Sequence, residues 1–144
     1  MSNVLALPLV SVGVQTGNNE DWVDSIKYVV DPADGTTDSS LWEQLDLRGI
    51  SFSMEIRRDA ADVEVIFGAS TENGTLKIGD APDFGFLIIQ VPLAEMKDHP
   101  AGTYVGDIVG TDGIYTRTTI QIALEILEGI TKQPVNKRIV VTYP

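Results

Sequence analysis

The sequence predicts an all-β fold, a sandwich or barrel of about eight or nine strands. Three observations predict it. First, Ile50, Phe52, Met54 and Ile56 alternate with Ser51, Ser53, Glu55 and Arg57. Period-two alternation of this kind marks a strand with one dry and one wet face. Second, turn clusters recur at short spacing: TGNNED (Thr16 to Asp21), TENG (Thr71 to Gly74) and TDG (Thr111 to Gly113). Third, almost no segment carries a helical apolar period.

The elements follow in order. Val4 to Val14 is apolar and β-branched, and Pro8 argues for an edge or a bulge. After the TGNNED turn, Trp22, Asp24, Ile26, Tyr28 and Val30 form one face of a second strand. Asp31 to Ser40, DPADGTTDSS, reads as a loop. The alternating strand comes next, then a strand over Val63 to Phe67 and a hairpin at TENG. Thr75 to Ile78 and Phe84 to Val91 are further strands, and Phe84 to Ile89 is apolar enough to be covered on both faces. Pro92 to His99 fits one helical turn with Pro92 at its first position. Thr118 to Glu128 has helix-forming residues, but its alternation favours strand. Arg138 to Tyr143 reads as a last short strand.

A chain of 144 residues suits one domain and buries a core without disulfides or metals. It has no cysteine, which excludes disulfides, thiolate metal sites and cysteine nucleophiles. The formal charge of -11 disfavours direct nucleic-acid binding, and no basic cluster exceeds a pair. No apolar run approaches the roughly 18–20 residues of a membrane span. MSNVLALPLV lacks a positive leading region and reads as a first strand, not a signal peptide.

No catalytic arrangement stands out. His99, the sole histidine, lies in a polar connection and reads as a solvated loop residue, so a Ser-His-Asp triad has little to build on. GxSxG, HExxH and GxxxxGK[ST] are absent. Asn18, Asn19, Glu20 and Asp21, with Asp31, Asp34 and Asp38, supply oxygens suited to calcium. Their spacing is not that of an EF-hand, and turn chemistry explains them. Glu125 and Glu128 read as solvated. Trp22, Trp42, Tyr115 and Tyr143 are candidates for a carbohydrate-stacking face, though the tryptophans sit where core or rim packing is commoner. The expectation is therefore no enzyme, no cofactor and no metal.

Several turns occur in a recognisable order: TGNNEDW (Thr16 to Trp22), LDLRG (Leu45 to Gly49), FSMEIRRD (Phe52 to Asp59), NGTLKI (Asn73 to Ile78), AGTYVGDI (Ala101 to Ile108), TDG, Arg117, and a closing GITK (Gly129 to Lys132). In that order the chain resembles small Ig-like virion proteins of tailed bacteriophages and, more loosely, the N-terminal β-sandwich of phage baseplate upper proteins. Gly106 stands where a bulky residue is usual, and residues 133–144 lie beyond the usual end. The resemblance implies a single Ig-like antiparallel β-sandwich of about 7–9 strands with at most one short helical turn. It would span residues 1–132, with 133–144 as an extension. It implies a structural part of a tail, baseplate or fibre attachment, made in the bacterial host cytoplasm and built into the virion. Its partners would be copies of itself and other virion proteins. The runner-up readings are a head-decoration or neck protein and a carbohydrate- or host-surface-binding module.

Edge strands recruit neighbouring chains, so the candidate interface residues lie in apolar terminal segments: Val4, Leu5, Leu7 and Leu9, with Arg138, Ile139, Val141 and Tyr143. Arg57 and Arg58, at a strand end, are candidate charged contacts. Gly102 to Tyr104 before a strand resembles a tyrosine corner, with Gly106 at the position where antibody domains place a cysteine.

Overall fold

The alternation at residues 51–57 resolves into a strand with one dry face: Phe52, Met54 and Ile56 are buried while Ser51, Ser53 and Glu55 are exposed. The computed structural model describes residues 9–30, 35 and 43–130. Among them are β1 (Val10–Gly17), β2 (Trp22–Lys27), β3 (Val29–Val30), β4 (Glu43–Gln44), β5 (Ser51–Arg57), β6 (Phe67–Ser70), β7 (Leu76–Ile78), β8 (Phe86–Val91), α1 (Leu93–Met96), β9 (Gly102–Thr111) and β10 (Thr116–Leu127). One sheet has the order β1-β10-β9-β5-β6 and the other β2-β8-β7, with β3 and β4 as a separate ribbon. The inner faces of both sheets join one core, in which Ile56, Leu87, Ile89, Ile108 and Met96 are fully buried. Trp22 meets Phe67 across the sheets edge-to-face, with ring centroids 6.1 Å apart. This is an all-β sandwich.

The strand reading of Thr118 to Glu128 holds as β10, whose Ile120, Ile122, Leu124 and Ile126 face the core. A register shift between Thr118 and Ile120 turns Thr119 inward as well. There its hydroxyl accepts from the Tyr28 hydroxyl at 3.1 Å and donates to the Ile108 carbonyl at 3.0 Å. The tyrosine corner is present: the Tyr104 hydroxyl donates to the Pro100 carbonyl at 2.6 Å. In LDLRG, Leu45 and Leu47 enter the core. Between them Asp46 takes a forked pair of bonds from Arg48, whose guanidinium lies 4.0 Å from the Phe84 ring centroid.

Several expectations are corrected. The sandwich is not wholly antiparallel, because β1 pairs with β10 in parallel. The chain reaches β1 and β10 from the same end of the molecule, so the two strands run the same way. The first strand begins at Val10 among the described residues, and Val4, Leu5, Leu7 and Pro8 lie outside them. Val63 to Phe67 is not a strand. Arg57 donates to the carbonyls of Asp62 and Val63 at 2.8 and 2.6 Å, so these acceptors are satisfied without a ladder. Val63 is 93% exposed, and β6 starts only at Phe67. The TENG turn makes no hairpin either: it carries the chain from β6 in one sheet to β7 in the other. The second strand ends at Lys27, because Tyr28 passes its carbonyl to Leu45 and the chain joins the β3–β4 ribbon. β8 is fully buried on one face only, with Phe86 and Ile88 half-covered on the other. Pro92 caps α1 instead of opening it.

His99 is also corrected. It is buried, stacked on Phe67 at 4.7 Å between ring centroids, with Nε2 3.2 Å from a Glu95 carboxylate oxygen. The turn after α1 brings it back over the core, which a polar sequence neighbourhood does not reveal.

Candidate interaction surface

β1 ends the five-stranded sheet, and no described strand pairs with its other side. A strand in this position exposes a row of backbone donors and acceptors. Val12 and Val14 pack against the core yet stay half-exposed, and Val10 is 56% exposed. The core-facing side of β1 is thus an apolar strip left open at the sheet's margin.

Register defines the outer face beside this edge. Ser11, Gln121, Asp107 and Glu55 lie in one row across β1, β10, β9 and β5. Gly13, Ala123, Val105 and Arg57 make the next row. Small residues at Gly13 and Ala123 keep the face low, and a shallow groove of about 390 Å³ runs over it. Glu55 and Asp107 stand directly opposite each other on paired strands, an arrangement of like charges that costs stability. Arg57 relieves part of it by donating to Glu55 at 2.9 Å.

The sequence-predicted residues fare differently. Leu9, 46% exposed, adjoins Val10 at the head of β1. Arg57 lies on β5, three strands away, and is engaged by Glu55, Asp62 and Val63 instead of standing free. Strand spacing alone separates Leu9 from Arg57 by about 14 Å, so the structure does not bring them together. Arg58 covers the Tyr104 ring, its guanidinium 4.5 Å from the centroid. Arg138, Ile139, Val141 and Tyr143 lie outside the described residues, as do Trp42, Asp31, Asp34 and Asp38.

The turn considered for calcium does internal work. Asn18 donates from Nδ2 to the His99 carbonyl at 3.1 Å and to Glu128 at 3.0 Å, and its Oδ1 accepts from the Gly129 amide at 2.8 Å. Asp21 accepts from the Leu93 amide at 2.7 Å. No cluster of three or more His, Asp or Glu side chains suited to a metal occurs among the described residues. No described helix is long and apolar enough to cross a membrane. Trp22 is interior. Tyr115 is outside, 65% exposed, beside Ile114 at 82%. Both ride the tip of the β9–β10 hairpin, where Asp112 accepts from the amides of Ile114 and Tyr115 at 2.9 and 2.8 Å. These bonds hold the Asp112 carboxyl below its ordinary value.

Sequence reasoning named Tyr115 as an exposed aromatic candidate but missed the groove and the pairing of Tyr115 with Ile114 at the hairpin tip. The groove could have been found from the small residues in two neighbouring apolar strands, Gly106 and Ala123. The tip could have been found from Ile114 and Tyr115, which follow directly on a turn. Among the described residues the fold and surface define an all-β sandwich whose β1 edge is open. No protein-family model matches the chain, and no curated protein matches it.

Proposed function

We propose that this chain is a non-enzymatic structural component of a tailed bacteriophage particle, in the tail, baseplate or fibre attachment. It works through assembly contacts with copies of itself and with other virion proteins. The observation that carries the assembly reading is the open edge of β1, with Val10, Val12 and Val14 left part-covered beside it. The ordered turn motifs that resemble virion proteins supply the particle. In this reading the chain is made in the host cytoplasm and resides in the virion. The carbohydrate-binding alternative loses one stacking candidate, because Trp22 is interior.

The test is location. Gold-labelled antibody against the chain should decorate purified particles at the tail or its distal end. Label on the head or neck would replace the tail by the head-decoration or neck alternative, and absence from purified particles would overturn the virion reading. Deleting residues 133–144 should block incorporation while leaving the thermal midpoint nearly unchanged. A large loss of intrinsic stability would place those residues in the chain's own sheet.

A further inference from the structure

Charge is unevenly divided along the chain. Residues 131–144 hold Lys132, Lys137 and Arg138 and no acid. Residues 1–130 hold the other seven basic residues against all 21 acidic ones, a formal charge of -14. A basic segment thus follows an acidic body. Within that segment Ile139, Val141 and Tyr143 alternate with Arg138, Val140 and Thr142. Alternation of this kind suits a strand with one apolar face.

The described chain ends beside a sheet edge that no described strand covers. Asn18 ties the chain at Leu127 and Gly129, directly below the last residue of β1. Past that tie Ile130 is exposed. On its far side β1 has no described partner strand, a half-covered valine strip on its inner face and, one strand over on the outer face, exposed Glu125. An added strand with apolar residues inward and cations near this face would match all three features. Extended segments bind sheet edges through main-chain hydrogen bonds.

We propose that residues 138–143 of one copy add as a strand to the open edge of β1 in a second copy. The cation-bearing stretch Lys132 to Arg138 bridges the two acidic bodies, which otherwise repel each other. Exchange of the same segment in both directions closes a two-fold pair with identical contacts. The pairing deepens the assembly reading above, which it uses, but the two fail separately: particle location tests one, and linkage between chains tests the other.

The absence of native cysteine makes linkage readable. One preparation of the full-length chain carries Ser11→Cys, Gly13→Cys or Gln15→Cys on the outward side of β1; a Cβ at Gly13 would stand in open space. The other carries Val140→Cys or Thr142→Cys, on the outward side of the added strand. Mixed and oxidised, at least one combination should yield a disulfide-linked dimer on a non-reducing gel, at a yield several-fold above either preparation alone. Ile139→Asp with Val141→Asp should weaken self-association at least tenfold by sedimentation, with an unchanged thermal midpoint. If double-cysteine chains close on themselves while mixtures stay monomeric, the segment belongs to its own β1 and the proposal is overturned. It is equally overturned if no combination links, or if the Asp variant associates like the parent.

Discussion

Tyr28 and Tyr104 show how a single hydroxyl fixes a strand in this sandwich. The Tyr104 hydroxyl has one recipient, the Pro100 carbonyl, while the ring packs under Arg58. Tyr104→Phe keeps the ring and removes the bond, so denaturant unfolding should show a loss of about 1 kcal/mol. No change would remove the corner assignment. Tyr28 donates into Thr119, which donates onward to Ile108. Burial pushes the Tyr28 phenol up to about 12, against a smaller opposing effect of the Thr119 bond. In the unfolded chain the phenol titrates near its ordinary value of about 10. The unfolded state therefore loses its proton first as pH rises. The associated stability is fully present below about pH 10 and is lost progressively toward about pH 12. Tyr28→Phe should cost about 1 kcal/mol at neutral pH and flatten the alkaline fall measured by denaturation from pH 9 to 12.

At the scale of elements, turns and caps decide where strands stop. α1 has four residues and a proline at its N-cap, which contributes no side-chain bond. Asp21, from the turn between β1 and β2, reaches the Leu93 amide instead. A remote carboxylate thus does the work of a capping residue. Asp21→Ala should lower stability by about 0.5–1 kcal/mol, and hydrogen exchange at Leu93 should accelerate. Unchanged exchange would show that the bond does not hold the turn. Alternation identified β5 and β10, because Phe52, Met54 and Ile56 and then Ile120, Ile122, Leu124 and Ile126 put large apolar side chains inward at every second position. It failed over Val63 to Val65, where the same residue types face solvent. There Arg57, five and six residues back, holds the carbonyls of Asp62 and Val63, and alternation of apolar residues carries no mark of that guanidinium.

For the whole molecule the governing quantities are one shared core and a large negative charge. Both sheets contribute to the same apolar layer. The sequence pI is about 4.3. Self-repulsion should keep the chain dispersed at neutral pH and vanish near the pI, where non-specific association rises. Turbidity measured against pH should peak near 4.3 and fall on either side, and a flat profile would show that net charge does not govern solubility. Arm exchange, in contrast, depends on the basic segment at neutral pH, so the two kinds of association separate on the pH axis.

The sequence by itself determined the class: all-β, rich in turns, acidic, with β5 and β10 readable from their alternation and the tyrosine corner from Gly102 to Tyr104. Those features are local, since period and turn chemistry act within a few residues. Only the tertiary structure decided the parallel pairing of β1 with β10, the passage of TENG between sheets and the burial of His99. Each depends on residues far apart in the chain, as Asn18 meets His99 across 81 positions. Composition and spacing do not encode which distant carbonyl or ring a side chain will meet. The open edge of β1 belongs to this second kind: an edge is a relation among strands, and it exists only once the sheet is assembled.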